Sequence, residues 1–551
     1  MSRKGILSHI RSRINQWFLI PALLVLILGL PVYVIVAYIF LPGGDAWWHL
    51  VSNHLLDYTV NTVILMAGVG LISGFLGLCL AWLVTLYKFP GHKVFGWALI
   101  LPLALPTYIA AYTYGGILSY TGGLYHFFRT TFGYEGGQHL FFNIFGMPGA
   151  IFIMSVVLYP YVYVLARSYF LQQSAVFMEA SASLGNSPLR GFFQVVLPLA
   201  RPALISGIIL VLMEVLNDYG AVHYLGVDTF TIGVFTAWFS MGDAAAALKL
   251  SALLLIIIFG LIIGERYLRG GAKYDFLDAQ FRPVKPRTLT GFKKWLAFTF
   301  CLVPLLLGFI FPVLQLFSWL SVSFNEVWGS GFQLWLWNSF YLALIAGVFC
   351  VVLALVLGYS SRINKDPWMN ALTRLSTMGY AIPGAVIGVG VLIPFAWFDE
   401  QLINFLGSLG YEAGGLILTG SVIALIFAYL VRFLAVAYNP VESGFSRISS
   451  TLDDASRSLG KGKTATLFHV DLPLLRGSLL SGLILVFIDV LKELPLTLIL
   501  RPFDFDTLAT KTFEFANDER MAEAAPSALI IVFTGVIAVA LLNRFITKGK
   551  L

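Results

Sequence analysis

Stretches of about twenty apolar residues recur along this chain, and each is long enough to cross a hydrocarbon core as a helix. Backbone that enters lipid must satisfy its own N–H and C=O groups, so such a chain has few alternatives to a helical bundle. The runs predict spans near 17–41, 60–87, 95–119, 147–170, 202–222 and 244–264, then 295–322, 337–360, 373–398, 414–438, 475–497 and 525–543. They divide evenly between the halves of a 551-residue chain, which reads as an all-α polytopic membrane protein of about 12 transmembrane helices. With 58% of residues hydrophobic and 11% charged, an ordinary soluble domain is excluded. The first run exceeds the apolar region of a signal peptide and lacks a small-residue cleavage site before Asp45.

Charge sets the expected orientation. Most of the 35 Lys and Arg fall in alternate connecting segments, beginning with Arg3, Lys4, Arg11 and Arg13 in the tail. Acidic residues such as Asp399, Glu400, Glu412, Asp504, Asp506, Asp518 and Glu519 fall in the other set. Basic loops stay inside, so both termini are expected in the cytoplasm. The net charge of +7 then reflects topology, and its spread over every inner loop argues against nucleic-acid binding. Cys79, Cys301 and Cys350 lie within spans with no metal-site or disulfide spacing, and read as packing residues. No cofactor and no firm metal site is expected.

A twenty-residue pattern then divides the chain in two. EASASLGNSPLRGFFQVVLP runs from Glu179 to Pro198, and DASRSLGKGKTATLFHVDLP runs from Asp454 to Pro473, 275 positions later. Asn61-Thr62 and Asn338-Ser339, and Pro106 and Pro383, repeat at an offset of 277. Six spans per half is an even number, so the copies are parallel repeats about an axis along the membrane normal. A tail (1–16) precedes a first half at 17–265, with its core at 57–265 and a polar loop at 171–201. A Gly-, Pro- and charge-rich linker (266–294) leads to a second half at 295–544, with its core at 334–544 and a polar loop at 439–476.

Each polar loop is an island in an apolar chain. Residues before Gly185 and before Gly460 favour a short helix, which the glycine ends by a left-handed cap. A second helical stretch is expected to stop at Leu197-Pro198 and Leu472-Pro473, with proline marking re-entry into the bilayer. Read alone, either island is an amphipathic surface loop. Repetition at fixed offset turns it into a docking element. LGKGKTAT (459–466) mimics a phosphate-binding loop, but Arg457 stands where its first glycine is needed and no strand precedes it.

The islands resemble the cytoplasmic loop signature E-A-A-x3-G-x9-I-x-L-P of permeases in binding-protein-dependent ABC importers. Glu179, Ala180, Gly185, Val195, Leu197 and Pro198 occupy its positions, as do Asp454, Ala455, Gly460, Val470, Leu472 and Pro473. Ser181 and Ser456 replace the second alanine, Val replaces Ile, and Asp454 replaces Glu. The resemblance implies a type I ABC importer permease fold in a bacterial inner membrane, surrounded by lipid. It implies coupling helices that seat on two copies of a separate ABC ATPase, and a periplasmic or lipid-anchored substrate-binding protein. The chain itself would be no enzyme. Residues 228–255 and 489–532 look like the fused ferric-iron permeases of this superfamily, while permeases for thiamine, phosphonate or polyamine are similar in outline. An ion-coupled secondary transporter is the reading from another class.

One further symmetry bears on transport. Aligned at 275, VLMEVLND (211–218) matches VFIDVLKE (486–493), so Glu214 falls on Asp489 and Asp218 on Glu493. Spacing of i, i+4 places each pair on one helix face. Ionisable groups within spans face a cavity or a partner. Two readings follow: the four carboxylates line the translocation path, or they form interhelical pairs, for example with Lys492. His223 and Tyr224 read as interfacial packing, Trp47-Trp48 as an aromatic belt. Gly-rich 68–74 and 384–390 read as close helix packing.

Overall fold

The computed structural model of the protein describes residues 16–119, 122–133, 143–172, 188–268, 286–329, 331–364, 366–410 and 415–547. Glu179, Ala180 and Gly185 of the first island, most of the linker and the basic tail lie outside the described residues. Among the described residues, ten helices are long and apolar enough to cross a membrane, or twelve if two bent pairs each count as one span. In chain order they are α1 (Trp17–Leu28 with Leu30–Ile39), α2 (Leu55–Leu86), α3 (His92–Ala104 with Thr107–Leu118), α4 (Met147–Leu171), α5 (Leu197–Asn217) and α6 (Ala244–Leu268). The second set is α7 (Phe292–Trp328), α8 (Phe332–Ile363), α9 (Gly384–Ser408), α10 (Val422–Arg447), α11 (Lys463–Leu491) and α12 (Met521–Leu541).

Two of these bends have a sequence cause. α1 turns by 48° at Gly29, one residue before a helical start that places Pro31 in its first turn. Proline has no N–H to donate back and its ring crowds the carbonyl four residues earlier. α3 turns by 90° at Pro106. There Leu105 is extended, as a residue before proline prefers, and Pro106 becomes the N-cap of the Thr107–Leu118 segment. The second half repeats the device 277 residues later. A 3-10 turn at Met378–Ala381 matches the one at Leu101–Ala104, Ile382 is extended, and Pro383 caps α9 with φ −56° and ψ 143° against −57° and 143° at Pro106. The spans expected over 95–119 and 373–398 are therefore broken at Pro106 and Pro383, with both breaks lining the interior of the protein.

Asn61-Thr62 and Asn338-Ser339 have an equally concrete role. Asn61 Nδ2 donates to the carbonyl of Asp228 (3.0 Å), and Thr62 Oγ1 accepts from Phe230 N (3.3 Å). Asn338 Nδ2 donates to Asp506 O (3.0 Å), and Ser339 Oγ accepts from Leu508 N (2.7 Å). Each pair clamps the N-terminus of a short helix, Phe230–Phe235 or Leu508–Asn517, onto the second span of its half. The later clamp is reinforced by Arg501, Asp506, Lys511 and Glu514. Lys511 Nζ lies 2.8 Å from Asp506 and 2.7 Å from Glu514, and Arg501 reaches both acids. Burial pushes the Glu514 carboxyl up, but Lys511 and Arg501 outweigh it and hold it below the usual range.

Within each half the packing repeats: α2, α4 and α5 form one core, α8, α10 and α11 the other. Glycines permit the close crossings, with Gly70 and Gly74 against Ile208 and Leu212, and Gly388 against Ile499. The first span of each half crosses over. Pro31 and Ile35 of α1 sit on Gly390 of α9, and the Trp17 ring meets Tyr359 of α8 edge-on at 4.8 Å. Reciprocally, Leu307 O of α7 accepts from Tyr114 Oη (2.5 Å), and Trp319 covers Gly116. Lys249 of α6 donates to Tyr38 O (3.1 Å) and Leu41 O (2.5 Å), so a buried ammonium caps the negative end of α1. A two-residue parallel ladder, Tyr87–Lys88 with Arg287–Thr288, ties the end of the linker to the end of α2.

Candidate functional site

α5 and α11 end at Asn217 and Leu491, earlier than the 222 and 497 expected. Short helices, Gly220–Tyr224 and Pro495–Leu500, follow after a break. Asp218 and Glu493 stand at those breaks, so the two carboxylate pairs straddle a helix end instead of sharing a regular helix face. Each serves as a cap: Asp218 Oδ1 accepts from Ala221 N (2.8 Å), and Glu493 Oε1 accepts from Leu496 N (3.2 Å). A buried helix start needs such acceptors for its orphan N–H groups.

All four carboxylates, Glu214, Asp218, Asp489 and Glu493, line one cavity of about 100 Å³ between the two halves. The broken elements supply its other walls through Pro106, Thr107, Tyr108 and Tyr380, with Tyr161 from α4 and Arg432 from α10. Asn217 Oδ1 accepts from Gly384 N (2.9 Å) and so joins the halves directly.

The partners of the four acids differ between halves. Lys492 Nζ lies 2.8 Å from Asp489, and Arg432 Nε lies 3.1 Å from Glu493. Arg432 also donates from Nη1 to Ile382 O (2.9 Å), the carbonyl before Pro383. In the first half Tyr161 Oη donates to Glu214 Oε1 (3.0 Å), and the Thr107 hydroxyl donates to Asp218 Oδ2. Among the described residues no three His, Cys, Asp or Glu converge as a metal-ion site. The cavity offers charge along its wall without a closed ligand cage.

Arg432, Tyr161, Tyr380 and Tyr108 were not singled out from the sequence. Arg432 carried a usable signal, because an arginine in the middle of an apolar span is expensive and needs a partner. The tyrosines carried none, since aromatic residues are common throughout. His223 packs 5.1 Å from Tyr219 and 5.6 Å from Phe513, ring to ring, across the junction of the halves.

The second island is an exposed helix, Ser450–Ser458, with Asp454 and Ala455 on its open side. Ser449 caps its start by accepting from Thr451 N (3.3 Å). Gly460 at φ +79° ends it: Gly460 N donates to Arg457 O (2.9 Å) and Lys461 N to Ser456 O (3.1 Å), the paired bonds of a Schellman cap. Beyond it the expected stop at Leu472-Pro473 does not occur. Helix runs from Lys463 to Leu491 through a π turn at Leu467–Asp471, and the Phe192–Val196 turn repeats this before Leu197-Pro198. The wider turn places the proline where its missing N–H and bulky ring are tolerated.

Two side chains of α8 moor this island, Tyr359, which donates to Lys463 O, and an arginine that holds its start. Arg362, at the end of α8, pairs with Asp453 (Nε, 2.9 Å) and donates to Phe445 O (2.9 Å), Ile448 O (3.0 Å) and Ser449 O (3.3 Å). It thus fills the orphan carbonyls at the end of α10 and holds the first turn of the exposed helix.

The profile of the family described as binding-protein-dependent transport system inner membrane component matches residues 73–269 and 350–548, once in each half. The Fe(3+)-transport system permease protein FbpB 2 of Haemophilus influenzae is 28% identical over 536 residues, covering 96% of this chain and 98% of that protein. The ferric transport system permease protein FbpB of Actinobacillus pleuropneumoniae is 24% identical, over 88% of this chain and 71% of that protein. The sulfate transport system permease protein CysT of Salmonella typhimurium is 30% identical over 201 residues, 36% of this chain and 70% of that protein. With its two matched repeats and its apolar helices, the chain belongs to the binding-protein-dependent transport system inner membrane components and is a multi-pass permease subunit with both repeats in one polypeptide.

Proposed function

We propose that this permease carries ferric iron into the cytoplasm, receiving it from a periplasmic or lipid-anchored binding protein and drawing energy from two copies of a separate ATPase. Both termini lie in the cytoplasm, and the islands at Glu179–Pro198 and Asp454–Pro473 are the two ATPase-docking elements, the second through its exposed Ser450–Ser458 helix. Glu214, Asp218, Asp489 and Glu493 belong to the translocation path. The carboxylate-lined cavity between the halves carries this reading. Four acids against Arg432 and Lys492 leave the wall negative, which favours a hard cation that binds oxygen. Near end-to-end similarity to a ferric permease supports the same substrate.

Sulfate is the competing substrate, because CysT proteins are also related. That similarity covers little more than a third of the chain, and an unpaired carboxylate repels a desolvated dianion. Uptake of radioactive ferric iron should appear in cells holding the permease, its ATPase and its binding protein, and should vanish without the ATPase. Sulfate uptake with no ferric uptake would overturn the assignment. Uptake driven by an ion gradient without the ATPase would restore the secondary-transporter reading.

A further inference from the structure

We propose that the cation-receiving subsite of the cavity lies on the first-half wall, formed by Glu214, Asp218 and the Tyr108 hydroxyl, while Asp489 and Glu493 are held by the protein's own cations. This rests on the cation reading above and assigns unequal roles to acids that the repeat makes equivalent.

The repeat itself exposes the asymmetry. At the offset of 275, Arg432 falls on Val157 and Lys492 on Asn217. Both counter-cations are therefore private to the second half, and their first-half counterparts are neutral. The geometry agrees: Asp489 and Glu493 have cations at 2.8 and 3.1 Å. Glu214 and Asp218 have hydroxyl and backbone donors, from Tyr161, Thr107, Ala221 and Val222, and among the described residues no cation within 4.0 Å of either carboxylate. The pairs neutralise the second-half wall, so the first-half wall keeps both negative charges.

Tyr108 supplies an independent observation. It is 5% exposed, it lines the same cavity, and its hydroxyl has no hydrogen-bond partner. A buried hydroxyl without a partner is costly, and buried polar groups are normally satisfied. Its counterpart at the offset of 277 is Ala385, so the first half alone supplies this oxygen, which faces both Asp218 and Glu493. Two carboxylates and a phenol oxygen suit a hard, multiply charged cation in passage. The spread of these oxygens, which form no closed cage, suits release over retention.

Terbium(III), a redox-inert hard trivalent cation whose emission is sensitised by nearby tyrosine, probes the subsite in the purified full-length chain. Replacing both acids, Glu214→Gln with Asp218→Asn, should weaken the tyrosine-excited terbium affinity by about tenfold or more, as expected for lost charge at short range. Lys492→Met should move it the other way, because it releases Asp489 into the cavity. A double variant that keeps wild-type affinity would overturn the proposal. So would a Lys492→Met variant that binds terbium more weakly, a result that bears on the proposal even where the double variant does not fold. If wild-type cells take up no ferric iron while the terbium pattern holds, the substrate assignment fails and the subsite stands.

Discussion

Arg432 shows how much one side chain in this protein has to hold. It is 6% exposed, and its guanidinium joins α10 to the break before α9 through Ile382 O and to the break after α11 through Glu493. Taking one member of a buried ion pair leaves the other charge uncompensated, which costs about 3–5 kcal/mol. Arg432→Met should lower the thermal unfolding temperature of the detergent-solubilised protein sharply, and adding Glu493→Gln should recover most of the loss. Equal destabilisation by the single and double variants would mean that the arginine acts through Ile382 O alone. The repeat alignment displayed the four acids and Lys492 at the sequence level, because charged residues stand out against an apolar background. It could not display Arg432 with Glu493, since a pairing across helices depends on how two spans rotate about their axes.

At the scale of elements, sequence chemistry was legible wherever a local rule decides the backbone. Gly460 takes the left-handed cap expected of it, whereas Pro106 and Pro383 showed in the sequence only as a repeated pair, and the breaks they cause were not expected. It failed at Pro198 and Pro473, where a helix stop was expected, because a π turn absorbs what a proline normally disrupts. The continuity has a mechanical consequence: Lys463 to Leu491 is one rod joining the exposed island to the cavity at Asp489. Arg362 makes the second connection, to α8 and α10. Its counterpart at the offset of 277 is Thr85, so the first half lacks this guanidinium. With the exposed helix as the proposed ATPase-docking element, Arg362→Ala should leave the assembled transporter hydrolysing ATP while uptake falls, because that helix keeps its exposed face and loses its mooring. The two rates measured together in one proteoliposome preparation check this. A parallel fall in both would place Arg362 in docking itself.

The architecture of the whole molecule is where the sequence was least informative, and the reason is physical. A span that is apolar all round carries no stripe to say which neighbour it meets. The repeat showed two halves, and nothing in it showed that α1 would lean on α9 and α8, or that α7 would lean on α3. These crossings interlock the halves through Pro31 and Ile35 on Gly390, Trp17 on Tyr359, Tyr114 on Leu307 and the Asn217–Gly384 bond over the cavity. The linker is then not what keeps the repeats together. Its last residues are held separately by the ladder at Arg287–Thr288. Two co-expressed fragments, divided between residues 270 and 285, should therefore copurify through a tag on either one and support uptake at a sizeable fraction of the intact level. Since helix association in lipid relies on close packing and interhelical hydrogen bonds, Gly390→Leu in the split protein should separate the fragments, while the intact chain tolerates it better through tethering. Fragments that never copurify would show that the linker is itself the joint between the repeats, and that the crossings of α1 and α7 are too weak to hold two half-permeases in register.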